Sequence, residues 1–248
     1  MSNLHAAHYA DAMVRVDAPL IRNESIAENT YLLRVAAPEI ARSFRPGQFV
    51  MIRMTGVNAP LIGRAFAIYD VHAGADGQPE SIDLIYLRKG ALTLPLSEAP
   101  VGTMVTVWGP LGNGFDDRPC DRLIMAVGGI GQTPMLAAGR DARQRGSEGR
   151  AARVPDVLAD RLQSLQSESP ETRIRVITCG PEIMMEKSAE VCERLGVDCQ
   201  VSMETPMACG IGICFSCVAK VKQDDGEWDY KRTCVEGPIF DACKIVWD

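Results

Sequence analysis

The chain has 248 residues, 46% hydrophobic and 23% charged, with a formal net charge of −6. Its length suits two or three small modules better than one, and its acidic balance leaves no basic footprint for nucleic acid. No stretch approaches the ~20 apolar residues of a membrane helix. Met1 to Asp11 lacks the charged-then-apolar order of a secretion signal, so a cytoplasmic protein is expected.

From the start to about Phe115 the chain reads as β. Tyr31–Ala36, Gln48–Met54 and Ser81–Leu87 are short runs of β-branched and aromatic residues. Arg45-Pro46-Gly47, Gly74 to Pro79 and Gly109-Pro110-Leu111-Gly112-Asn113-Gly114 punctuate them. That spacing predicts an antiparallel barrel or sandwich. From Arg122 the pattern changes. Leu123–Val127 is a continuous apolar run, as in a strand buried on both faces, and it feeds into Gly128-Gly129-Ile130-Gly131-Gln132-Thr133-Pro134 and a helical stretch. Val154–Leu165 carries a helical apolar stripe, Arg173–Thr178 reads as a strand and Pro181–Leu195 as a helix. Such alternation predicts a parallel sheet with crossovers. From Ser202 the chain reads as loops with short strands.

Of nine cysteines, Cys209, Cys214, Cys217, Cys234 and Cys243 fall in the last forty residues. Without a secretion signal, such a cluster points to metal ligation rather than disulfides. Cys209-Gly-Ile-Gly-Ile-Cys214-Phe-Ser-Cys217 with a distant Cys234 has the spacing of plant-type [2Fe–2S] ligation. Gly210 and Gly212 remove the Cβ atoms that would obstruct a tight wrap around the cluster. Structural zinc is the rival reading, although zinc sites usually pair two short knuckles. Cys243 is expected to be a buried free thiol, and Cys120, Cys192 and Cys199 packing residues.

Arg64-Ala65-Phe66-Ala67-Ile68-Tyr69, followed by Gly109–Phe115, Gly128–Gly131 and Cys179-Gly180-Pro181-Glu182-Ile183-Met184, resembles the ferredoxin reductase superfamily. With the cysteine loop and Cys234-Val-Glu-Gly-Pro-Ile-Phe240, the chain is similar to electron-transfer subunits of NAD-dependent, class 1B dihydroorotate dehydrogenases. The resemblance covers nearly the whole chain. It implies an α+β multidomain protein: an antiparallel FAD-binding β-barrel over 1–116, a shortened parallel α/β nicotinamide-binding domain over 117–201, and a [2Fe–2S] module over 202–248. By resemblance, Arg64 pairs with the FAD pyrophosphate, a task suited to a charged planar fork. Ala65, Phe66 and Ala67 lie along the flavin, with Ala67 where relatives often carry a hydroxyl. Ile85, Tyr86 and Leu87, a turn at Gly90, then Leu92 and Thr93 match a second flavin segment. Without the surrounding motifs, an ordinary strand and hairpin is the favoured reading of that stretch.

Gly128, Gly129 and Gly131 stand where a phosphate loop admits backbone amides, with Thr133 as helix cap and Pro134 in the first turn. Cys179, Gly180 and Pro181 match the nicotinamide end; a purely structural cysteine is the alternative. Cys209, Cys214, Cys217 and Cys234 are the implied cluster ligands. The implied cofactors are FAD, a [2Fe–2S] cluster and NAD. The implied partner is an FMN-containing catalytic subunit, in a heterotetramer, and this chain has no dihydroorotate site and no catalytic residue of its own. A sulfide dehydrogenase or transhydrogenase-type subunit, or an electron carrier lacking a nicotinamide site, are alternative readings. Relatives carry more sheet between Gly131 and Cys179, so two strands are expected to be absent, the first strand is expected to become an edge, and the adenosine side of NAD is expected to lose contacts.

Overall fold

The computed structural model describes residues 12–58, 60–144, 148–152 and 155–247. The first unit is a closed antiparallel barrel of β1 (Val14–Ala27), β2 (Thr30–Ala36), β3 (Phe49–Met54), β4 (Arg64–Ala73), β5 (Pro79–Leu87) and β6 (Met104–Leu111), in the order β1-β2-β5-β4-β3-β6. Closure leaves no unpaired edge. The β1–β2 turn places Asn29 at φ 51°, a left-handed conformation that asparagine tolerates. Leu20, Leu33, Val35, Ile52, Ile68, Ile82 and Leu84 point inward with 0% exposure. Each contributes about 1.5–3 kcal/mol by its burial. The helix α1 (Pro38–Ser43) packs Ile40 into this core.

The stretch around Leu92, for which a strand and hairpin is the alternative reading, is a helix, α2 (Gly90–Glu98). Gly90 at φ +79° makes the turn out of β5, and Thr93 closes the first helical turn by accepting a hydrogen bond from the Lys89 N–H at 2.8 Å. Asn23 ties down the far end by donating to the Leu96 and Ala99 carbonyls, while the Tyr86 hydroxyl donates to its Oδ1.

The second unit is a sheet of five strands ordered β13-β10-β9-β7-β8: β7 (Arg122–Val127), β8 (Glu148–Ala152), β9 (Ile174–Cys179), β10 (Asp198–Ser202) and β13 (Ile239–Asp241). All pair in parallel except β13, which returns from the C-terminus antiparallel to β10. The helix α3 (Met135–Gln144) packs on one face with Leu123 and Ile177. On the other face, α4 (Pro155–Glu168) and α5 (Glu182–Arg194) enclose Ile124, Ala126, Ile174 and Val176. The first strand is therefore not an edge. β8 lies beside β7 along Arg122–Ala126, so at least one of the strands expected to be absent is present. Glu148 and Gly149 belong to that strand; Arg145, Gly146 and Ser147 lie outside the described residues.

β11 (Val218–Lys222) and β12 (Trp228–Arg232) form a separate hairpin that covers Met185, Val201, Ala242 and Ile245 with Ala219 and Val221. Asn113 clamps barrel to C-terminus, its Nδ2 donating to the Ile239 carbonyl at 2.8 Å and its Oδ1 accepting from the Ile239 N–H at 3.0 Å. Gly112 permits that approach, because a Cβ there would lie 2.5 Å from Pro238 Cδ. Arg140 on α3 adds a bond of 2.6 Å to Asp70 on β4, a second tie between the units. Cys192 packs in the sheet core and Cys199 against it, as expected, but Cys243 is exposed rather than buried. A reason is its place in a terminal helical turn, where neighbouring Ala242 and Ile245 take the inward positions.

Candidate functional site

A cleft of about 560 Å3 opens between the barrel and the loops at the carboxyl edge of the sheet. Arg64, Ala65, Phe66 and Ala67 from β4, Ile85, Tyr86 and Leu87 from β5, and Gly90, Leu92 and Thr93 from α2 all line it. Residues separated in sequence thus share one wall, because β4 and β5 are neighbours in the barrel and α2 starts where β5 ends. The Arg64 guanidinium is exposed and steadied by the Ile62 and Gly63 carbonyls at 3.0 and 3.1 Å; among the described residues no carboxylate pairs with it. The same wall carries the N-terminus of α2, whose first amides lack intrahelical acceptors and carry the positive end of the helix dipole. A fixed cation and a helix N-terminus flanking an apolar wall suit a dinucleotide with a pyrophosphate.

Two side chains serve this wall differently from the sequence expectation. The Thr93 hydroxyl is spent on the Lys89 backbone, bonding both its N–H and its carbonyl. Tyr86 is 1% exposed, and burial, then Tyr31, pushes its phenol above the ordinary range. Its ring supports Phe66 edge-on at 6.0 Å.

A second cleft of about 370 Å3 adjoins the first and is lined by Gly128, Gly129, Ile130, Gly180, Pro181, Glu182, Met185, Met203 and Glu204. Ile130, Met203 and Glu204 border both. It sits where strands β7 and β9 end side by side and their connections diverge to opposite faces, the usual ligand crevice of an open parallel sheet. Gly131 does not serve as an open phosphate-loop glycine: a Cβ there would lie 2.4 Å from the Cys179 carbonyl oxygen, so it is a close-packing glycine. Thr133 is buried in helical conformation and lines the flavin-side cleft; α3 begins two residues later, after a 3-10 turn, so Thr133 does not cap it. The Cys179 thiol is pushed up to about 12 by burial and by Glu204, whose Oε1 lies 3.8 Å away. It is a neutral, packed thiol rather than a nucleophile.

The cysteine loop wraps through left-handed residues at Gly210 (φ +75°), Gly212 (φ +82°) and Phe215 (φ 55°). Trp108 of the barrel donates its indole N–H to the Cys209 carbonyl at 3.0 Å, and Arg232 donates to the Gly212 carbonyl at 3.0 Å. Cys214 lies near Cys209, and Cys217 near Cys234. Hydrogen bonds from Ser216, then Cys209, bring Cys214 down to about 6, while Cys217 is drawn to about 6 by Cys234, which is held up in turn. Among the described residues no three His, Cys, Asp or Glu side chains are grouped as a single metal ion requires. Two facing pairs of thiols instead suit a cluster with two irons, one pair to each.

The cysteine loop and the first cleft share a wall. Phe49, Ala65 and Met207 line the cleft and also pack in the core that holds Cys217 and Cys234. The sequence indicated neither this adjacency nor the cleft residues Lys89, Met203 and Glu204. No local pattern marks them: Lys89 lies in the turn from β5 into α2, and Met203 and Glu204 are brought there by the chain that leaves β10.

An FAD-binding barrel beside a parallel sheet, with a four-thiol loop against its wall, defines an iron–sulfur flavoprotein of ferredoxin-reductase architecture. The family model for the oxidoreductase FAD-binding domain matches residues 17–115, and that for the iron-sulfur cluster binding domain of dihydroorotate dehydrogenase B matches 204–246. The dihydroorotate dehydrogenase B (NAD(+)) electron transfer subunit of Desulforamulus reducens is 31% identical, over 94% of this chain and 98% of its own. That of Clostridium acetobutylicum is 31% identical over 82% and 86%. The chain belongs to this family of electron transfer subunits. Among solved structures, an NADH-dependent reduced ferredoxin-NADP oxidoreductase superposes with TM-score 0.77 at 22% identity, over 94% of this chain and 91% of the other. Phthalate dioxygenase reductase does so with TM-score 0.54 at 17%, over 91% and 95%; these two likenesses concern the fold. No helix among the described residues is long and apolar enough to cross a membrane.

Proposed function

We propose that this chain carries electrons between an FMN-containing dihydroorotate dehydrogenase catalytic subunit and NAD+, in pyrimidine biosynthesis. When bound, FAD supplies the exchange between one- and two-electron transfer, and the cluster supplies one-electron transfer. Arg64 and the first amides of α2 hold the FAD pyrophosphate, and Phe66, Ala67 and Ile85 flank the flavin. Ala67 brings no side-chain hydroxyl to its reactive edge. Cys209, Cys214, Cys217 and Cys234 hold the cluster, and Gly128, Gly129, Gly180 and Pro181 receive the nicotinamide nucleotide. The FAD unit covers 1–116, the nicotinamide unit 117–201 and the cluster unit 202–248, and the partner completes a heterotetramer.

The observation that carries this reading is the shared wall of Phe49, Ala65 and Met207 between the cleft and the cluster thiols. It brings two redox sites together while the barrel excludes water between them. The outer face of the loop points outward, with Ile213 75% and Phe215 62% exposed, and it is where the catalytic subunit docks.

Anaerobically purified protein should contain iron and sulfide in equal amounts, and Cys214→Ser should lose the cluster signal. Dihydroorotate-dependent NAD+ reduction should be absent from the isolated chain and appear on adding the catalytic subunit. A chain that contains zinc without sulfide, or that neither binds the subunit nor exchanges electrons with it, overturns the proposal.

A further inference from the structure

Lys89 stands immediately before α2, where it breaks two local rules. The residue before a helix is favourably Ser, Thr, Asp or Asn, whose side chain accepts from a free amide, whereas Lys89 has no acceptor and caps nothing. A cation at this end is also repelled by the helix dipole, and no acidic residue in the first turn offsets it. Its neighbour Arg88 is paired with Glu98 at 2.9 Å, but among the described residues no carboxylate pairs with the exposed Lys89 ammonium. The backbone here is fixed, its N–H bonded to the Leu87 carbonyl at 2.9 Å and to the Thr93 hydroxyl at 2.8 Å. A side chain that works against local stability on a fixed backbone marks a functional position.

Lys89 lines the first cleft, followed without a break by Gly90 to Thr93. The other charged residues of that lining are Arg64 and Glu204. Glu204 lies on the side of the sheet, its Oε1 3.8 Å from the Cys179 thiol, and it borders the second cleft as well. Arg64 begins β4 and Leu87 ends β5, and these strands are antiparallel neighbours, so both cations enter at the same end of the ladder. Two cations without carboxylate partners and the first amides of α2 thus serve one end of an apolar cleft.

We propose that Lys89 is a further FAD-binding residue, the second cation on the pyrophosphate that Arg64 holds. This rests on the placing of FAD in that cleft in the reading above. The charges match: the pyrophosphate of FAD carries two negative charges, and Arg64 and Lys89 bring two positive ones. The Thr93 hydroxyl is committed to the Lys89 backbone, so the lysine side chain supplies a polar contact that the threonine does not. A bound anion also offsets the repulsion between the ammonium and α2, so binding and the start of the helix strengthen each other. The two cations divide the work. Arginine, a planar fork, orients the pyrophosphate, and lysine, a point charge on a flexible stem, adds attraction.

The test uses full-length chain freed of flavin by dialysis and titrated with FAD. Lys89→Gln should weaken FAD binding by about tenfold, the scale of one charge-assisted contact, Lys89→Glu by more, and Lys89→Arg should stay near the parent. The loss in Lys89→Gln should shrink as salt rises. The flavin-free melting temperature of Lys89→Gln should equal or exceed the parent's, because a cation leaves the positive end of α2, while the rise that FAD produces should be smaller. A merely structural lysine predicts the opposite: a lower flavin-free melting temperature and no rescue by arginine, a result that overturns the inference. If flavin-free chain does not stay folded, the rate of flavin release from loaded chain decides between the same outcomes. FAD affinity of Lys89→Gln and Lys89→Glu within about twofold of the parent, with a loss in Arg64→Ala, overturns the inference and leaves the reading of the cleft intact. No loss in Arg64→Ala either overturns both.

Discussion

Gly210→Ala tests whether the cluster loop is moulded against the barrel. Gly210 lies at φ +75°, and an added Cβ would stand 2.6 Å from Met51 Cγ and 2.9 Å from Leu111 Cδ1. Both neighbours have 0% exposure in the barrel wall, so neither can swing into solvent. The left-handed backbone costs about 1–2 kcal/mol for a residue with a Cβ. Overpacking against fixed neighbours adds about 1–3 kcal/mol. The matched control is Gly226→Ala, at φ +89° in the hairpin turn with nothing within 4 Å, which carries only the backbone term. The difference between the two variants isolates the contact. Gly210→Ala should lose most of its iron and sulfide, because the loop must lift from Trp108 to relieve the clash. FAD should be retained, since the cleft's anion donors on β4 and α2 are untouched. The assay is iron, sulfide and flavin per chain, with thermal unfolding of both variants. Full cluster content in Gly210→Ala, with a melting temperature equal to that of Gly226→Ala, would refute the packing argument.

Three further outcomes follow from the site. Arg64→Ala should weaken FAD binding by about 1.5–3 kcal/mol, the loss of a charge-assisted contact, and Arg64→Lys should recover only part of it; dialysis against FAD checks both. Cys179, pushed up to about 12, should resist alkylation at pH 8.5 in the native chain and react after unfolding. Because its folded value lies above the unfolded one near 9, the stability from burying the neutral thiol is complete below pH 9 and is lost as pH rises from 9 towards 12. A Cys179→Ala variant should lack that alkaline component in its pH–stability curve. NADH should reduce the flavin slowly and with poor saturation, because β8 is the outermost described strand on the side expected to bear adenosine, while dithionite reduces both centres normally. Rapid, tightly saturating reduction by NADH in stopped flow would show that the short sheet suffices.

The local content of the sequence determined the chemistry. Four cysteines at cluster spacing, an arginine followed by a flavin-type strand, and two glycine-bearing turns after apolar strands are patterns of neighbouring residues, and local patterns survive without a fold. The barrel and parallel sheet were legible for the same reason, since periods of two and runs buried on both faces report their own burial. The long β1 and the strand β8 were not: β1 has mixed exposure and shifts register against β2, and β8 follows a glycine-bearing segment that reads as loop. Helix α2 was obscured by Gly90 and Pro95, which argue for a turn when seen alone. Tertiary structure alone decided that the Thr93 hydroxyl closes a helix, that Gly131 packs against Cys179, and that β8 protects β7. It also placed Met207, Ala65 and the cluster thiols in one wall. The contacts of Ala65 in that wall reach residues more than a hundred positions away, and their energies depend on closure of the barrel and return of β13, which no window along the chain contains.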